Sequence, residues 1–512
     1  NGIVENYMDW KRFLISHGYD FASQTDTEVA AKLIDYYYKI TRDPFAAIVK
    51  ATGELTGAYA FGVVFREKPD TIYAARRDSP LIVAKSYDGC FIASDIPALL
   101  KYTRRYYQLE EGEIAVLSKS GVEIFDRLAR PLDKELLTAQ WDVEAAEKGG
   151  YAHFMRKEID ESPDAIIKTV SPRTGANGLP DLGIPELDEN RFRQIERLRI
   201  IACGTAMHAG LIGKYLVEKL ARVPVEVTIS SEFRYMDPII SPGDIAIFIS
   251  QSGETADSLA AIRLAKKLGA FTIGVVNVVG SSIAREADAV LYTYSGPEIA
   301  VASTKAYDVQ IAAMYLLAMV VARAKGKLSD EEIRRLLKSL QSEATCAIWD
   351  VISREEEIKR LADDYRHAEN LYYIGRGLDW AVSQEGSLKL KEISYLHCEA
   401  YAAGELKHGA ISLIVPGMPV IALATDKALY PKLLTGVKEV KARGARTILI
   451  CPYGSPDATA VADDVFFLPD INPLLSPFPA TAFMQLFAYY VSVLRGCDVD
   501  KPRNLAKSVT VE

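Results

Sequence analysis

The chain has 512 residues, 49% apolar and 25% charged, which is enough for roughly three globular domains with cores of their own. A net charge of −8 gives no general attraction to nucleic acid or to anionic membranes, so both classes of partner are disfavoured. The longest apolar run, residues 311–322, is too short to cross a bilayer, and no signal peptide is recognisable. We therefore expect a cytoplasmic protein that acts on small molecules.

Residues 1–127 combine a helical stretch with short strands, a pattern typical of an α+β domain with an antiparallel sheet. The helix is expected to begin at Asp26, because a capping signal there precedes an apolar-periodic segment. Asn1-Gly2 is a turn dipeptide that normally joins two elements, so a segment upstream of it is expected. The predicted strands are residues 58–65, 72–75, 81–84, 91–93, 114–117 and 122–125.

Strand signals vanish between residues 128 and 190, and residues 171–185 are rich in glycine and proline. This stretch predicts a helical linker that ends at a domain boundary. Beyond it, short and fully apolar strands alternate with longer helical segments, which indicates a parallel sheet covered on both faces.

The strand pattern of this second region occurs twice. The segments at 199–204, 245–249, 272–275 and 290–292 recur in the same order at 371–377, 420–423, 447–450 and 465–467. Four signals at a nearly constant offset predict two doubly wound α/β domains in tandem.

Residues 250–255, here called the phosphate loop, lie where the predicted strand 245–249 ends and a helix begins. Their sequence, Ser-Gln-Ser-Gly-Glu-Thr, offers three hydroxyls, an amide and a flexible glycine to a phosphate at a helix N-terminus. An ordinary capping turn is the alternative for a lone Ser-Gly pair. The position at a strand end favours phosphate, because ligands of open α/β sheets bind there.

Six motifs stand out along the chain, at residues 203–205, 250–255, 302–306, 389–395, 399–409 and 502–512. Together they resemble the glucosamine-6-phosphate synthase family, the glutamine:fructose-6-phosphate aminotransferases. The resemblance covers essentially the whole chain, and the repeated domains correspond to the sugar isomerase (SIS) domains of that family.

The resemblance implies three catalytic residues, and helical spacing adds Lys389 as a fourth. Lys507 matches the lysine that forms a Schiff base with the open-chain sugar, and Glu392 matches the carboxylate that moves a proton between C1 and C2. Lys389 is expected as a cation beside Glu392. His408 matches the ring-opening histidine, which the family supplies from a neighbouring subunit, so a homodimer is expected.

The implied substrate is fructose 6-phosphate, with glutamine or ammonia as nitrogen donor. Ser303 is an implied contact, and Lys305 is expected near the same pocket. Ala206 departs from the family, which usually has serine there, so one sugar contact is expected to be lost or replaced. The other implied substrate-binding residues are Thr205, Ser250, Gln251, Ser252 and Thr255.

The front of the chain resembles the family's glutaminase, an enzyme of the N-terminal-nucleophile type. The resemblance assigns Asn1 and Gly2 to an oxyanion hole and Asp26 to binding of the glutamine amino group. The family's nucleophile is an N-terminal cysteine, and none of the six cysteines here fits its motif. An incomplete glutaminase that lacks its front is therefore expected.

The expected fold is thus an incomplete α+β glutaminase followed by two SIS domains of the doubly wound parallel α/β class. No metal or organic cofactor is expected, since the histidines form no ligand-spaced cluster. Two alternatives stay open: a SIS protein that only senses sugar phosphates, and a SIS deaminase or isomerase with an unrelated front domain. The predicted limits are 1–140 for the glutaminase, 141–190 for the linker, 191–350 and 351–497 for the SIS domains, and 498–512 for a catalytic tail.

Overall fold

The computed structural model of the chain describes residues 2–139, 147–241 and 243–510, without the side chain of Pro97. The chain forms two compact units. Unit 1 comprises Asn1–Glu147, Glu254–Asp257 and Ser508–Glu512, and unit 2 comprises Lys148–Gly253 and Ser258–Lys507.

Unit 1 contains short helices and antiparallel strands. Its helices are α1 (Tyr7–Ser16), α2 (Asp26–Thr41), α3 (Pro44–Glu54) and α4 (Pro97–Leu100). Its strands are β1 (Gly2–Val4), β2 (Gly57–Phe65), β3 (Lys68–Arg77), β4 (Ile82–Lys85), β5 (Cys90–Ala93), β6 (Arg105–Gln108), β7 (Ile114–Ser118), β8 (Gly121–Phe125), β9 (Pro131–Leu132) and β10 (Leu137–Thr138).

The strands of unit 1 form two stacked sheets, in the orders β1-β2-β3-β7-β8-β9 and β10-β6-β4-β5. Alternation along β3 places Tyr73 and Ala75 against the helices, where they join Leu33 of α2 in one core cluster. Ala74 faces the other way and packs with Val83 of the second sheet. The helices thus cover one face of the first sheet, and the second sheet covers the other.

The α+β prediction for this unit is confirmed, and every predicted strand is present within a few residues. Among the described residues, the sequence missed helices α1, α3 and α4 and strands β1 and β6. It also missed the two-residue strands β9 and β10, which lie in the stretch predicted to contain none. Segments this short carry too little periodicity to stand out.

Unit 2 alternates helices with parallel strands. Its helices are α5 (Phe154–Asp160), α6 (Ser162–Val170), α7 (Glu189–Gln194), α8 (Gly204–Leu220), α9 (Ser230–Tyr235), α10 (Ala256–Lys267), α11 (Ser282–Glu286), α12 (Lys305–Ala324), α13 (Asp330–Ser353), α14 (Glu355–Tyr365), α15 (Leu378–Ser394), α16 (Tyr430–Lys441), α17 (Ala458–Val461) and α18 (Pro477–Leu494). Its strands are β11 (Leu198–Ala202), β12 (Val225–Ile229), β13 (Ile245–Ser250), β14 (Phe271–Val276), β15 (Ala289–Tyr292), β16 (Asn370–Gly375), β17 (His397–Ala402), β18 (Pro419–Leu423), β19 (Arg446–Pro452) and β20 (Asp464–Leu468).

The two parallel sheets of unit 2 have the same topology. Their strand orders are β12-β11-β13-β14-β15 and β17-β16-β18-β19-β20, and all of these neighbours pair in parallel. This is the doubly wound order 2-1-3-4-5. The structure therefore confirms the predicted tandem repeat, with the order reversing between β11 and β13 and between β16 and β18.

Each sheet also contains a strand that the sequence did not indicate. These are β12 and β17, the edge strands beside β11 and β16, and both are only partly buried. Glu226 interrupts β12 and Glu399 interrupts β17, so neither has the continuous apolar run by which the other strands, including the edge strands β15 and β20, were recognised.

Helix α12 occupies the centre of unit 2. It is the one described helix long and apolar enough to span a membrane by composition, but 94% of that window is buried inside the protein. Helices α5 and α6, from the predicted linker, contribute Ile159 and Ile166 to the same core cluster. The proposed domain limits themselves stay predictions.

Candidate active site

The crevice between β11 and β13 is where the strand order of the first parallel sheet reverses. Ala202 and Ile249 are paired at the carboxyl ends of these strands, so the loops that follow them start side by side. One loop is Cys203-Gly204-Thr205, and the other is the phosphate loop. Such a reversal point is the usual ligand site of an open α/β sheet.

The phosphate loop is held by hydrogen bonds at each end of its turn. Ser250 Oγ accepts from Gly253 N at 3.0 Å, and Gly253 O accepts from Ile283 N at 3.0 Å. Asn277 N donates to Gln251 O at 3.2 Å. Ser252 adjoins this turn within unit 2, whereas Thr255 belongs to the short segment grouped with unit 1. The turn is therefore fixed before any ligand binds.

We expect Gly253→Ala to destabilise unit 2 through this turn. Gly253 has a φ of +67°, and a Cβ there would lie 2.1 Å from Ser281 Oγ. Gly269→Ala is the matched control, because Gly269 has a φ of +94° but no atom within 4 Å of its added Cβ. The control should lose about 1–2 kcal/mol from left-handed strain, and Gly253→Ala about 1–3 kcal/mol more from the clash. Equal losses in urea unfolding would contradict the clash.

The neighbouring loop opens helix α8 with Gly204, whose φ is +53°. Thr205 Oγ1 donates to Glu385 Oε1 at 3.0 Å, so this predicted substrate residue contacts a carboxylate of α15. Ala206, at the position where the family usually has serine, packs against the apolar core of the unit.

Helix α15 carries a buried row of charges. Lys389 Nζ lies 2.6 Å from Glu392 Oε2 and 3.4 Å from Glu385 Oε1. Burial alone would lower the pKa of Lys389, but Glu392 and Glu385 raise it above its ordinary value. The Glu392 side chain keeps 22% of its surface exposed, against 2% for Glu385. Of the two carboxylates, Glu392 is thus the one that a substrate can reach.

A second carboxylate, Glu298, lies in the loop between β15 and α12. Its Oε1 accepts from Thr304 N at 2.8 Å and Ala306 N at 3.0 Å, at the N-terminus of α12. Its Oε2 accepts from Ser303 Oγ at 2.8 Å and from Lys507 Nζ at 2.5 Å. Burial opposes ionisation, but the charge and hydrogen bond of Lys507, with these N–H donors, lower the pKa of Glu298 to about 2.

Lys507 is therefore bound rather than solvated. Its ammonium also donates to Ala300 O at 2.8 Å, and its side chain is 19% exposed. Glu298, in turn, contributes to raising the pKa of Lys389. The two predicted catalytic lysines thus belong to one charged cluster in unit 2.

Two further buried acids border this cluster. Burial and repulsion by Glu298 raise the pKa of Glu158 to about 8, although Lys507 and Lys305 oppose the shift. Lys305 donates to Glu161 Oε2 at 2.6 Å. Burial raises the pKa of Asp308 to about 8 as well. With pKa values of about 8, Glu158 and Asp308 are largely protonated at neutral pH, which limits the negative charge around Lys507.

The buried Asp308 should make unit 2 less stable as the pH rises. Its folded-state pKa of about 8 exceeds the unfolded value of about 3.9, so the folded state binds more protons between these limits. Stability from this group is full below about pH 4 and is lost as the pH rises toward about 8. Asp308→Asn, which stays neutral, should show a smaller fall in stability between pH 5 and pH 8 than the parent protein in urea unfolding.

Asp330→Asn is the control for that measurement. Asp330 is exposed on α13, and its hydrogen bond from Arg323 lowers its pKa. This variant should show the same fall in stability with rising pH as the parent protein. Glu158, whose pKa is also raised, contributes to that fall in both proteins. A fall of parental size in Asp308→Asn would contradict the assignment.

His408 differs from these buried groups because its side chain is exposed, on the short 3₁₀ turn Glu405–His408. In unit 1, Asp26 Oδ2 accepts from Val4 N at 2.8 Å. Gly2 has a φ of +113°, and a Cβ there would lie 2.0 Å from Ala58 O of β2, so no larger residue fits. Asn1 lies outside the described residues.

Three residues of the site were not predicted as such. Glu298 has no periodic or motif signal, because it lies in an irregular loop. Glu385 stands four residues before Lys389, a spacing that places both on one helix face and could have indicated it. His208 stands three residues after Thr205 on α8 and contacts Glu385. In the described part of the chain, no group of three or more His, Cys, Asp or Glu side chains is arranged to hold a metal ion.

Comparison with known proteins places these observations in a family. A SIS domain model matches residues 191–320 and 364–468, and a glutamine amidotransferase domain model matches residues 1–101. The prediction of two SIS domains behind an amidotransferase domain is confirmed. The expected lack of this domain's front receives no support from the match and stays a prediction.

Relatives of named function align along the whole chain. A glutamine–fructose-6-phosphate aminotransferase (isomerizing) of Clostridium acetobutylicum is 50% identical over 512 residues, which is 100% of this chain and 84% of the relative. A protein of the same name from Thermus thermophilus is 46% identical over 513 residues, with the same coverage. The solved C-terminal domain of glucosamine-fructose-6-phosphate aminotransferase from Francisella tularensis is 36% identical, with a TM-score of 0.67, and covers 69% of this chain and 100% of that domain. The chain therefore belongs to the glutamine–fructose-6-phosphate aminotransferase (isomerizing) family.

Proposed function

We propose that the protein converts fructose 6-phosphate to glucosamine 6-phosphate, with nitrogen from glutamine or ammonia. The observation that carries this proposal is the buried cluster that joins Lys507 to Glu298 and Lys389 to Glu392 in unit 2. It combines an amine that can attack a ketone with a carboxylate that can move a proton, the two groups that the reaction requires.

The sugar phosphate binds at the β11/β13 crevice. Hydroxyls of Ser250 and Ser252, the amide of Gln251 and backbone N–H groups of the turn supply donors for the phosphate. Thr205 and Ser303 border the site from the neighbouring loops, and Thr255 is assigned to the phosphate by family resemblance. Support comes from the fixed turn and its place at the reversal of strand order.

Lys507 acts as the nucleophile. Its Nζ, once deprotonated, attacks C2 of the open-chain ketose, and water leaves to give an imine. Ammonia then adds at C2 and releases the lysine amine, so that nitrogen stays on the sugar. Glu298 orients Nζ through the hydrogen bond described above, and it stays ionised because its pKa is about 2.

Glu392 moves the proton that turns the ketose skeleton into an aldose. It takes a proton from C1, a C1=C2 double bond forms, and the electron pair of the C2=N bond moves to the protonated nitrogen. The proton then returns at C2, while the C1 hydroxyl releases its proton to solvent and becomes the aldehyde. Lys389 pairs with Glu392 at 2.6 Å and balances the charge of this carboxylate during the transfer.

His408 opens the sugar ring in the site of a neighbouring subunit, and the protein is a homodimer. The exposed position of His408 supports this role, because a side chain directed to solvent in one chain is available to a second one. Gly2 and Asp26, with Asn1, bind glutamine in unit 1.

The test is to supply fructose 6-phosphate with glutamine or with ammonium, and to measure glucosamine 6-phosphate and glucose 6-phosphate in the same reactions. Product with either nitrogen source supports the proposal, and dependence on ammonium alone would show that glutamine is not used. Binding of fructose 6-phosphate without turnover would instead support a protein that only senses the sugar phosphate.

A further inference from the structure

We propose that His208 is a positioning residue for the proton-transfer step, through which the charge around Glu392 responds to pH. The inference rests on the proposed function, and no family motif considered above assigns a role to this histidine. His208 acts through Glu385 and Lys389, and it does not touch the reacting carbons.

The geometry is a chain of buried contacts. His208 Nδ1 lies 2.7 Å from Glu385 Oε2, and Thr205 Oγ1 donates to the other oxygen of the same carboxylate at 3.0 Å. Thr205 and His208 are three residues apart on α8, so both side chains reach Glu385 from one helix face. Glu385 then shares Lys389 with Glu392, at 3.4 Å and 2.6 Å.

Burial makes these contacts matter. The side chains of Lys389 and Glu385 are 1% and 2% exposed, and that of His208 is 10% exposed. Charges interact more strongly where water is excluded, so each member of the chain responds to the charge of the next. His208 contacts Glu385, and the same carboxylate contacts Lys389, the cation that pairs with Glu392. The charge of His208 can therefore affect Glu392.

The charge balance gives the direction of the effect. With neutral His208, one lysine faces two carboxylates, Glu385 and Glu392, and the three carry a net charge of −1. Protonation of His208 neutralises Glu385 and leaves Lys389 to pair with Glu392 alone. Glu392 then accepts a proton less readily, so proton transfer slows as the pH falls through the titration range of histidine.

Other titratable groups that face the contacts from His208 to Glu392 come from α12 and from the loop before it. Tyr307 and Asp308 interact with Glu385, and Glu298 interacts with Lys389. Tyr307 is neutral near pH 7, because burial raises its pKa well above the ordinary value. The pKa of Asp308 lies near 8 and that of Glu298 near 2. Imidazole is the side-chain group that ordinarily changes charge near neutral pH, and His208 supplies it to this group of contacts.

The experiment compares the pH dependence of conversion of fructose 6-phosphate to glucose 6-phosphate in the full chain and its variants. His208→Asn keeps a hydrogen-bond donor but cannot become charged. Its kcat at pH 6 relative to pH 8 should exceed the parental ratio by at least about threefold. His208→Leu removes the donor and should lower kcat by about tenfold at every pH, with little change in KM.

Two further variants isolate the mechanism. In Glu385→Gln, which breaks the connection, adding His208→Asn should cause no further change in the pH ratio. His397→Asn is the matched control, since His397 lies 3.9 Å from Glu399 on the exposed edge strand β17, and its pH ratio should equal the parent's. Urea unfolding of each variant separates loss of fold from loss of function, and His208→Asn carries the test if His208→Leu does not fold.

The outcomes separate the inference from the function on which it rests. Parental activity together with an unchanged pH ratio in His208→Asn would overturn the role of His208 and leave the proposed function standing. A parent protein without isomerisation at any pH would overturn both. A changed ratio in His397→Asn of the same size would also overturn the inference, because the effect would then not be specific to this chain of contacts.

Discussion

Replacing Lys507 by alanine is expected to lower the interconversion of fructose 6-phosphate and glucose 6-phosphate by about 10³-fold or more, because the covalent route through the imine is lost. Borohydride, which reduces an imine to a stable amine, should attach the sugar phosphate to the parent protein at Lys507. Mass spectrometry should find no such adduct at this position in the variant.

The control for this prediction is Lys507→Arg. Alanine leaves Glu298 buried without its cationic partner, which by itself destabilises a protein. Arginine keeps the positive charge beside Glu298 but cannot form the imine at neutral pH. Lys507→Arg should therefore retain more stability than Lys507→Ala and be equally inactive. Parental activity in the arginine variant would show that Lys507 acts only as a charge.

Replacing Glu392 by glutamine is expected to lower the same interconversion by about 10²- to 10⁴-fold, the usual contribution of general acid–base catalysis. Because Lys507 is untouched, borohydride should still attach the sugar phosphate to this variant. Retained adduct with lost turnover would place the defect in proton transfer, after the imine has formed.

Glu356→Gln is the matched control. Glu356 also pairs with a lysine three residues away, Lys359 at 3.5 Å, but its side chain is 76% exposed on α14. Such a surface pair contributes little, so turnover should equal that of the parent. If Glu392→Gln had no more effect than Glu356→Gln, Glu392 would not be the proton-transferring group.

Much of unit 2 could be predicted because its central strands are covered on both faces. Strands β13 and β18 are fully buried and, apart from Ser250 at the end of β13, continuously apolar, and the recurrence of such strands indicated the tandem repeat directly. The edge strands β12 and β17 could not be recognised in this way, since Glu226 and Glu399 interrupt their apolar residues and only pairing with β11 and β16 identifies them as strands. In unit 1, β6 is recognisable only by its pairing with β4 and β10.

The sequence also predicted only part of the candidate site. Resemblance and helical spacing placed Lys507, Glu392 and Lys389, and the structure brings all three into one cluster with Glu298 as the link. Glu298 stands 209 residues before Lys507, so nothing in the local sequence connects them. The roles of all these residues stay predictions until the variants are measured.

The amino-acid sequence by itself determined the alternation of apolar strands and helices, the repeat, and the motifs that carry the family resemblance. These properties depend on residues near one another in the chain, where periodicity and turn chemistry act. The tertiary structure decided which charges meet: His208 with Glu385 across 177 residues, and Lys507 with Glu298 across 209. Buried charges need partners, and only the packing of α8, α12 and α15 around the sheets determines which partner each one finds.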